Sequence, residues 1–140
     1  MLPLRIVVDT NIMVSAVLKP DGLQRTVLTI ALAKPARLYV SAAILSEYES
    51  VMSRVRLRIL AAERRRLMRL LWDRAHLVTP RYRIRSTSDP DDNIFLECAD
   101  AARADYLVTG NLRHFPGFWK YTKVVSSRDF IGIAAPHLLP

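Results

Sequence analysis

The sequence predicts an α/β protein, a single-domain α/β/α sandwich built on a mainly parallel central sheet. Short β-branched runs occur at Arg5 to Asp9, Leu38 to Ser41, Tyr106 to Thr109 and Lys123 to Ser126. Apolar residues recur at helical spacing between these runs, and the connections are long enough for the crossovers that parallel neighbours require. The chain has 140 residues, 51% of them hydrophobic, which suits one domain over 1–140 with one buried core. No repeat, low-complexity stretch or long linker divides it.

RIVVD at Arg5 to Asp9 reads as a buried strand that delivers Asp9 at its carboxyl end. A short helix follows, through Ala16 to Leu18. Pro20, Asp21 and Gly22 then mark a turn, and Leu23, Val27, Ile30 and Ala31 recur at helical spacing until a stop near Pro35. LYVS at Leu38 to Ser41 is the second strand. In the helix after it, Ile44, Tyr48 and Val51 share a face with Leu45 and Met52, and Glu47 lies on the flank. A longer amphipathic helix is predicted from Ala61 to Leu77, with Leu67, Leu70, Leu71 and Ala75 opposite Arg65, Arg69 and Asp73. Val78 and Thr79 begin a short extended segment, and Pro80 to Pro90 is basic and turn-forming. The acidic run DPDD opens a helix in which Phe95, Cys98, Ala99 and Ala102 repeat on one face. YLVT at Tyr106 to Thr109 is the next strand, closed by Gly110 and Asn111. KVVS at Lys123 to Ser126 is the last, before a short helix beginning at Asp129 and Phe130.

Composition narrows the function. Lys and Arg number 21 against 13 Asp and Glu, a net charge of +8 that favours an anionic partner such as nucleic acid. Cys98 is the lone cysteine, which excludes an internal disulfide and a Cys-rich zinc site and suits a reducing compartment. Charged residues break every apolar segment before the ~20 residues a bilayer requires, and Asp9 interrupts the N-terminal apolar stretch, so a soluble, cytoplasmic protein is expected without membrane association. With four glycines, no P-loop and no dinucleotide fingerprint, nucleotide binding by those routes is unsupported. An aspartyl-phosphate phosphatase is disfavoured because no second aspartate stands two residues after Asp9.

In an open α/β sheet the functional crevice lies beyond the carboxyl ends of the strands, and this rule selects among the acids. Asp9 ends the first strand. Glu47 and Glu49 flank their helix on opposite edges; Glu47 is about 3 Å nearer the helix start at 1.5 Å per residue and is preferred. Asp89, Asp91 and Asp92 crowd the start of one helix, where the macrodipole favours negative charge. Three carboxylates exceed what one cap needs, and a divalent cation would relieve their repulsion. Asp92, nearest the helical run, is the best-held. Asp100 and Asp105 fall at the wrong end, and Asp129 suits an ordinary helix start. Asn111 follows a strand end, where its amide can orient a ligand. Carboxylates from separated elements, without a His or Cys cluster, suit Mg²⁺ or Mn²⁺ and phosphodiester hydrolysis.

VVDTN at Val7 to Asn11, LSEYESVM at Leu45 to Met52, DPDDNIFLECA at Asp89 to Ala99 and ADYLVTGNLRHFP at Ala104 to Pro116 together resemble a PIN domain. More narrowly they resemble the VapC-like toxin components of prokaryotic type II toxin–antitoxin systems. The resemblance spans essentially the whole chain. It implies a Rossmann-like sandwich and a Mg²⁺- or Mn²⁺-dependent endoribonuclease controlled by a cognate antitoxin. Asp9, Glu47 and Asp92 match the family's acidic positions, Thr10 and Thr109 its supporting hydroxyls, and Asn11 a polar position beside the first acid. Asn111 stands where many PIN sequences carry a further aspartate. A homodimer is also implied, with the helix bearing Leu67 to Leu71 or the region around Tyr48 as candidate contacts.

Arg54, Arg56, Arg58, Arg64, Arg65 and Arg66 form one basic group; Arg81, Arg83 and Arg85, closer to Asp89, are the better candidates for RNA contact. His76, His114 and His137 lack metal-ligand spacing and receive no catalytic role. Trp72, Trp119 and Tyr121 are assigned to core or interface packing rather than base stacking. The alternative to a ribonuclease is a noncatalytic RNA-binding or partner-binding module with the same fold.

Overall fold

The computed structural model describes residues 3–140; Met1 and Leu2, the first two residues of the expected domain, lie outside the described residues. Six strands form one sheet: β1 (Arg5–Val8), β2 (Arg37–Val40), β3 (His76–Leu77), β4 (Tyr106–Val108), β5 (Phe118–Trp119) and β6 (Thr122–Val125). Their order is β3-β2-β1-β4-β6-β5, with every neighbouring pair parallel except β5 and β6. The helices are α1 (Thr10–Leu18), α2 (Leu23–Leu32), α3 (Ala42–Met52), α4 (Ala61–Arg74), α5 (Pro90–Ala102) and α6 (Ser127–Ala134). The α/β/α sandwich is therefore as the alternating pattern predicts.

Beyond their first residues, Arg5 and Tyr106, the central strands are aliphatic because both faces are covered. Ile6, Val7, Val8, Leu107 and Val108 are fully buried, as are Phe95, Leu96, Cys98 and Ala99 on the inner face of α5. At about 1.5–3 kcal/mol for each large apolar side chain, this layer dominates the folding free energy. Strand order reverses between β1 and β4, since β1 leads through α1 to one side and β4 lies on the other. That switch point leaves a crevice at the carboxyl ends of the two strands, where Asp9 and Thr109 sit.

Four expectations change. The helix from Ala61 ends at Arg74 rather than Leu77: Ala75 is extended (ψ 154°), and its N–H closes the helix on the Leu71 carbonyl at 2.8 Å. His76 and Leu77 then pair with Tyr39 and Val40, a strand too short to show alternation. The first helix starts at Thr10 and the last at Ser127, where Ser126 Oγ accepts the Asp129 N–H. Tyr48, offered as a dimer contact, is wholly buried and donates its hydroxyl proton to the Val8 carbonyl; Leu67 and Leu71 also belong to the chain's own core. Trp72 and Tyr121 are exposed and take no part in the core, whereas Trp119 is half-buried.

Candidate metal centre

Asp9 is only 4% exposed, at the end of the most central strand. Its extended backbone (φ −66°, ψ 153°) makes it the residue before α1, and its own N–H is held by the Val108 carbonyl at 2.9 Å. Thr109 Oγ1, completely buried at the end of β4, donates to Asp9 Oδ2 at 2.6 Å and accepts the Asn111 N–H at 3.0 Å. Two parallel strands thus bring the first acid and its supporting hydroxyl together from positions 100 residues apart. Burial raises the Asp9 pKa, while the Thr109 hydroxyl, the Thr10 and Asn11 N–H groups and the nearby His114 act to lower it. The site holds an expensive buried carboxylate and partly offsets it with aimed donors.

Glu47, half-buried on α3, also has a raised pKa: burial is the main cause, followed by the charges of Asp91, Asp89 and Asp9, with Arg54 opposing them. Glu49 faces elsewhere and pairs with Arg64 at 3.1 Å. Asp92 is raised by burial and by Asp89, Asp9 and Asp91, with His114 opposing. Asp9 therefore repels both Glu47 and Asp92. Asp89 caps α5, accepting the Asp91 N–H at 2.9 Å, so one acid of the cluster is occupied structurally. Pro90 at the first helical position leaves no N–H to satisfy there.

Among the described residues no three His, Cys, Asp or Glu side chains stand close enough to enclose a metal ion. The acids share an electrostatic field without forming a compact cage. As a donor set, carboxylate oxygens drawn from separate elements suit a hard cation such as Mg²⁺ or Mn²⁺ better than Zn²⁺. Thr10 Oγ1, directly after Asp9, is buried without a hydrogen-bond partner, as is Ser127 Oγ at the start of α6. A buried polar atom left open next to Asp9, as Thr10 Oγ1 is, suits a bound cation with its waters.

The remaining sequence candidates distribute around this centre. Asn11 is exposed at the start of α1, and Asn111 precedes a short helical turn at Leu112–His114. Asp100 is engaged away from the centre by Lys120 at 2.7 Å and by Trp119 Nε1 at 3.3 Å, and Asp105 accepts the Arg5 N–H. Arg81, Arg83 and Arg85 are exposed on the segment before α5.

His114, given no role from the sequence, stands beside the centre, with Nδ1 3.4 Å from Asp92 Oδ2. Linear spacing held no metal-ligand signature for it; its place just beyond the carboxyl end of β4 was the available signal. Arg54 likewise enters through the fold, as the cation opposing the acids around Glu47. A shallow cavity of about 580 Å³ opens here between Ser86, Asp92, Arg113 and His114.

The PIN-domain pattern matches residues 5–113. No curated protein matches the chain in sequence. Among solved structures, the chain is similar to one in VapBC2 from Rickettsia felis, bound to a DNA fragment from their promoter. The two share 16% identity and a TM-score of 0.57, over 88% of this chain and 98% of that one. It is also similar to a chain of VapBC-1 from nontypeable Haemophilus influenzae, with 17% identity and a TM-score of 0.55, over 79% of this chain and 90% of that one. At these identities the likeness is one of fold.

Proposed function

The chain belongs to the PIN-domain family, and on that premise we propose that it is a Mg²⁺- or Mn²⁺-dependent endoribonuclease, the toxin of a toxin–antitoxin pair. The observation that carries this reading is the buried Asp9 carboxylate at the switch point, held by Thr109 Oγ1 at 2.6 Å, with its charge felt at both Glu47 and Asp92, in a protein of net charge +8. Asp9, Glu47 and Asp92 would hold the cation. The bound cation supplies polarisation of a phosphoryl oxygen and a lowered pKa for an attacking water. Thr109 orients the Asp9 carboxylate and opposes the rise in pKa that burial causes; Thr10, Asn11 and Asn111 offer polar atoms for waters or substrate. Arg113, at the lip, offers positive charge to the phosphate, and His114 places its imidazole beside Asp92.

Similarity to chains from VapBC assemblies supports an antitoxin partner. A groove of about 530 Å³ walled by Leu28, Leu32, Leu67 and Leu70, with Arg25 and Arg74 on its rim, offers that partner an apolar seat. Homodimerisation is part of the same proposal, through surfaces other than buried Tyr48. Among the described residues no helix is long and apolar enough to cross a membrane. The lone, buried Cys98, its pKa pushed up to about 12 by burial, accords with action in the reducing cytoplasm.

The test is cleavage of RNA titrated with Mg²⁺ and Mn²⁺. Wild type should cleave only with the metal, and Asp9→Asn and Asp92→Asn should each lose cleavage while keeping the wild-type circular dichroism spectrum. Unchanged cleavage in both variants rejects the site. RNA binding without cleavage under every metal condition favours the noncatalytic alternative.

A further inference from the structure

The segment between β3 and α5 does not wander over solvent. It runs back along α5, pinned at successive points: Ile84 N–H donates to Glu97 Oε2 at 2.9 Å, and Thr87 N–H and Oγ1 both donate to Asn93 Oδ1, at 3.0 and 2.8 Å. Ile84 is buried, 7% exposed, so the alternating neighbours Arg83 and Arg85 face outward in a fixed register. Across from them the β5–β6 hairpin turns at Lys120, whose left-handed backbone (φ 53°) sets its ammonium on Asp100. That pairing offsets the charge of Asp100, to which Trp119 Nε1 also donates at 3.3 Å.

Between these walls lie two neighbouring cavities, of about 420 and 520 Å³, that share Tyr82, Asp100 and Lys120. The second cavity reaches Ser86, which also lines the cavity containing Asp92 and His114. Through these shared residues the three cavities form a row along α5, a channel running from Arg103 and Tyr121 towards Asp92. Arg81, Arg83, Arg85 and Arg103 line it, beside the Lys120–Asp100 pair, and Tyr82 and Tyr121 are each 66% exposed within it. A purely solvated charge run has no reason to pair with exposed aromatic planes in a groove held open by tethered backbone. Cations spaced for phosphates and sequence-tolerant stacking faces are what single-stranded nucleic acid requires. From Asp92 to Asp100 the channel follows eight helical residues, about 12 Å at 1.5 Å each, or roughly three nucleotides at ~3.4 Å stacking.

We propose that this channel along α5 is a single-stranded RNA track, holding the nucleotides that flank the phosphate presented at Asp9 and Asp92. Its connection to cleavage rests on the nuclease reading; its binding function does not.

The experiment measures binding of a fluorescein-labelled oligouridylate of about twelve nucleotides without divalent metal, over a range of salt. Arg81→Gln with Arg83→Gln and Arg85→Gln should weaken binding about tenfold or more and reduce the log–log salt slope by about 2, from ~0.7 per lost phosphate contact. Tyr82→Ala with Tyr121→Ala should weaken it about tenfold while leaving the salt slope unchanged. Arg56→Gln with Arg65→Gln and Arg69→Gln, an equal charge loss elsewhere, should change affinity less than about twofold. Unchanged affinity in the first two variants overturns the proposal, as does an equal loss in the third. A polyglutamate peptide that binds through the same residues more tightly than the RNA also overturns it, in favour of a protein partner. Wild-type hydrolysis of bis(p-nitrophenyl) phosphate with Mn²⁺, a diester too short to reach the track, reads the nuclease assignment separately. If that hydrolysis is absent while the binding losses occur, the track stands and the nuclease reading falls.

Discussion

Replacing Thr109 by Val removes one hydroxyl from a completely buried position and nearly preserves its shape. The lost bonds are the 2.6 Å donation to Asp9 Oδ2 and the 3.0 Å acceptance from Asn111 N–H. A hydrogen bond to a charged group contributes about 1.5–3 kcal/mol and a neutral one about 0.5–1.5. With Asp9 ionised, the metal-free variant should therefore lose roughly 2–4 kcal/mol. With Asp9 protonated, both bonds are of the neutral kind and the loss should shrink to roughly 1–3 kcal/mol. The sign follows from linkage: Thr109 holds the Asp9 pKa below the level that burial alone would set, so its contribution is fully present above that pKa and diminishes as pH falls through it. Urea denaturation at about pH 8 and about pH 4, with EDTA present, measures both losses. At pH 8 the melting temperature should fall by roughly 7–14 °C, taking ~2.1 cal/mol/K per residue for unfolding entropy. Thr109→Ser, which keeps the hydroxyl, should retain the pH-dependent part. Equal losses at both pH values in Thr109→Val would refute the claim that the hydroxyl serves an ionised Asp9.

Asp9, Glu47 and Asp92 all have raised pKa values in the fold, so each favours the protonated state. Their contribution to stability is greatest below the unfolded carboxyl values near ~4 and is lost as pH rises through the folded ones. The metal-free melting temperature of wild type should thus decline from about pH 4 toward neutrality, the decline should flatten in Asp9→Asn with Asp92→Asn, and saturating Mn²⁺ should raise the neutral-pH value in wild type alone; calorimetric scans across pH measure all three. Tyr48→Phe should cost about 1–3 kcal/mol, because the Val8 carbonyl beside Asp9 is left buried without its donor, and denaturant titration measures it. Its metal-saturated cleavage rate should stay near wild type; a large loss of rate would mean that Tyr48 does more than support β1.

The sheet was legible because its central strands are short, β-branched and wholly buried, and because connection lengths left a parallel arrangement as the economical one. Asp9 was legible for the same reason, since the end of a central strand is a position that sequence marks directly. Edge pairing was not. His76–Leu77 and Phe118–Trp119 are two-residue strands whose partners, not their own patterns, make them strands. Helical periodicity through Ala75 overran the true end at Arg74 because a small apolar residue fits a helix face and a tight exit equally well. Glu47 was preferred over Glu49 on distance alone, and the Glu49–Arg64 pair depends on α4 crossing α3, which no local pattern encodes. His114 reaches Asp92 only because the loop after β4 folds toward the start of α5. The basic channel depends in the same way on a segment tethered to α5 by Glu97 and Asn93, side chains that read as ordinary helix polar residues.

The central claim is that Asp9, Glu47 and Asp92 bind a divalent cation. Electron paramagnetic resonance of free Mn²⁺ during titration with the purified protein measures this without any assumption about substrate. Wild type should deplete the free signal, Mg²⁺ should compete it back, Asp9→Asn and Asp92→Asn should each abolish depletion, and Glu49→Gln should leave it unchanged. Depletion that persists undiminished in both aspartate variants would contradict the account and move the cation elsewhere on the chain.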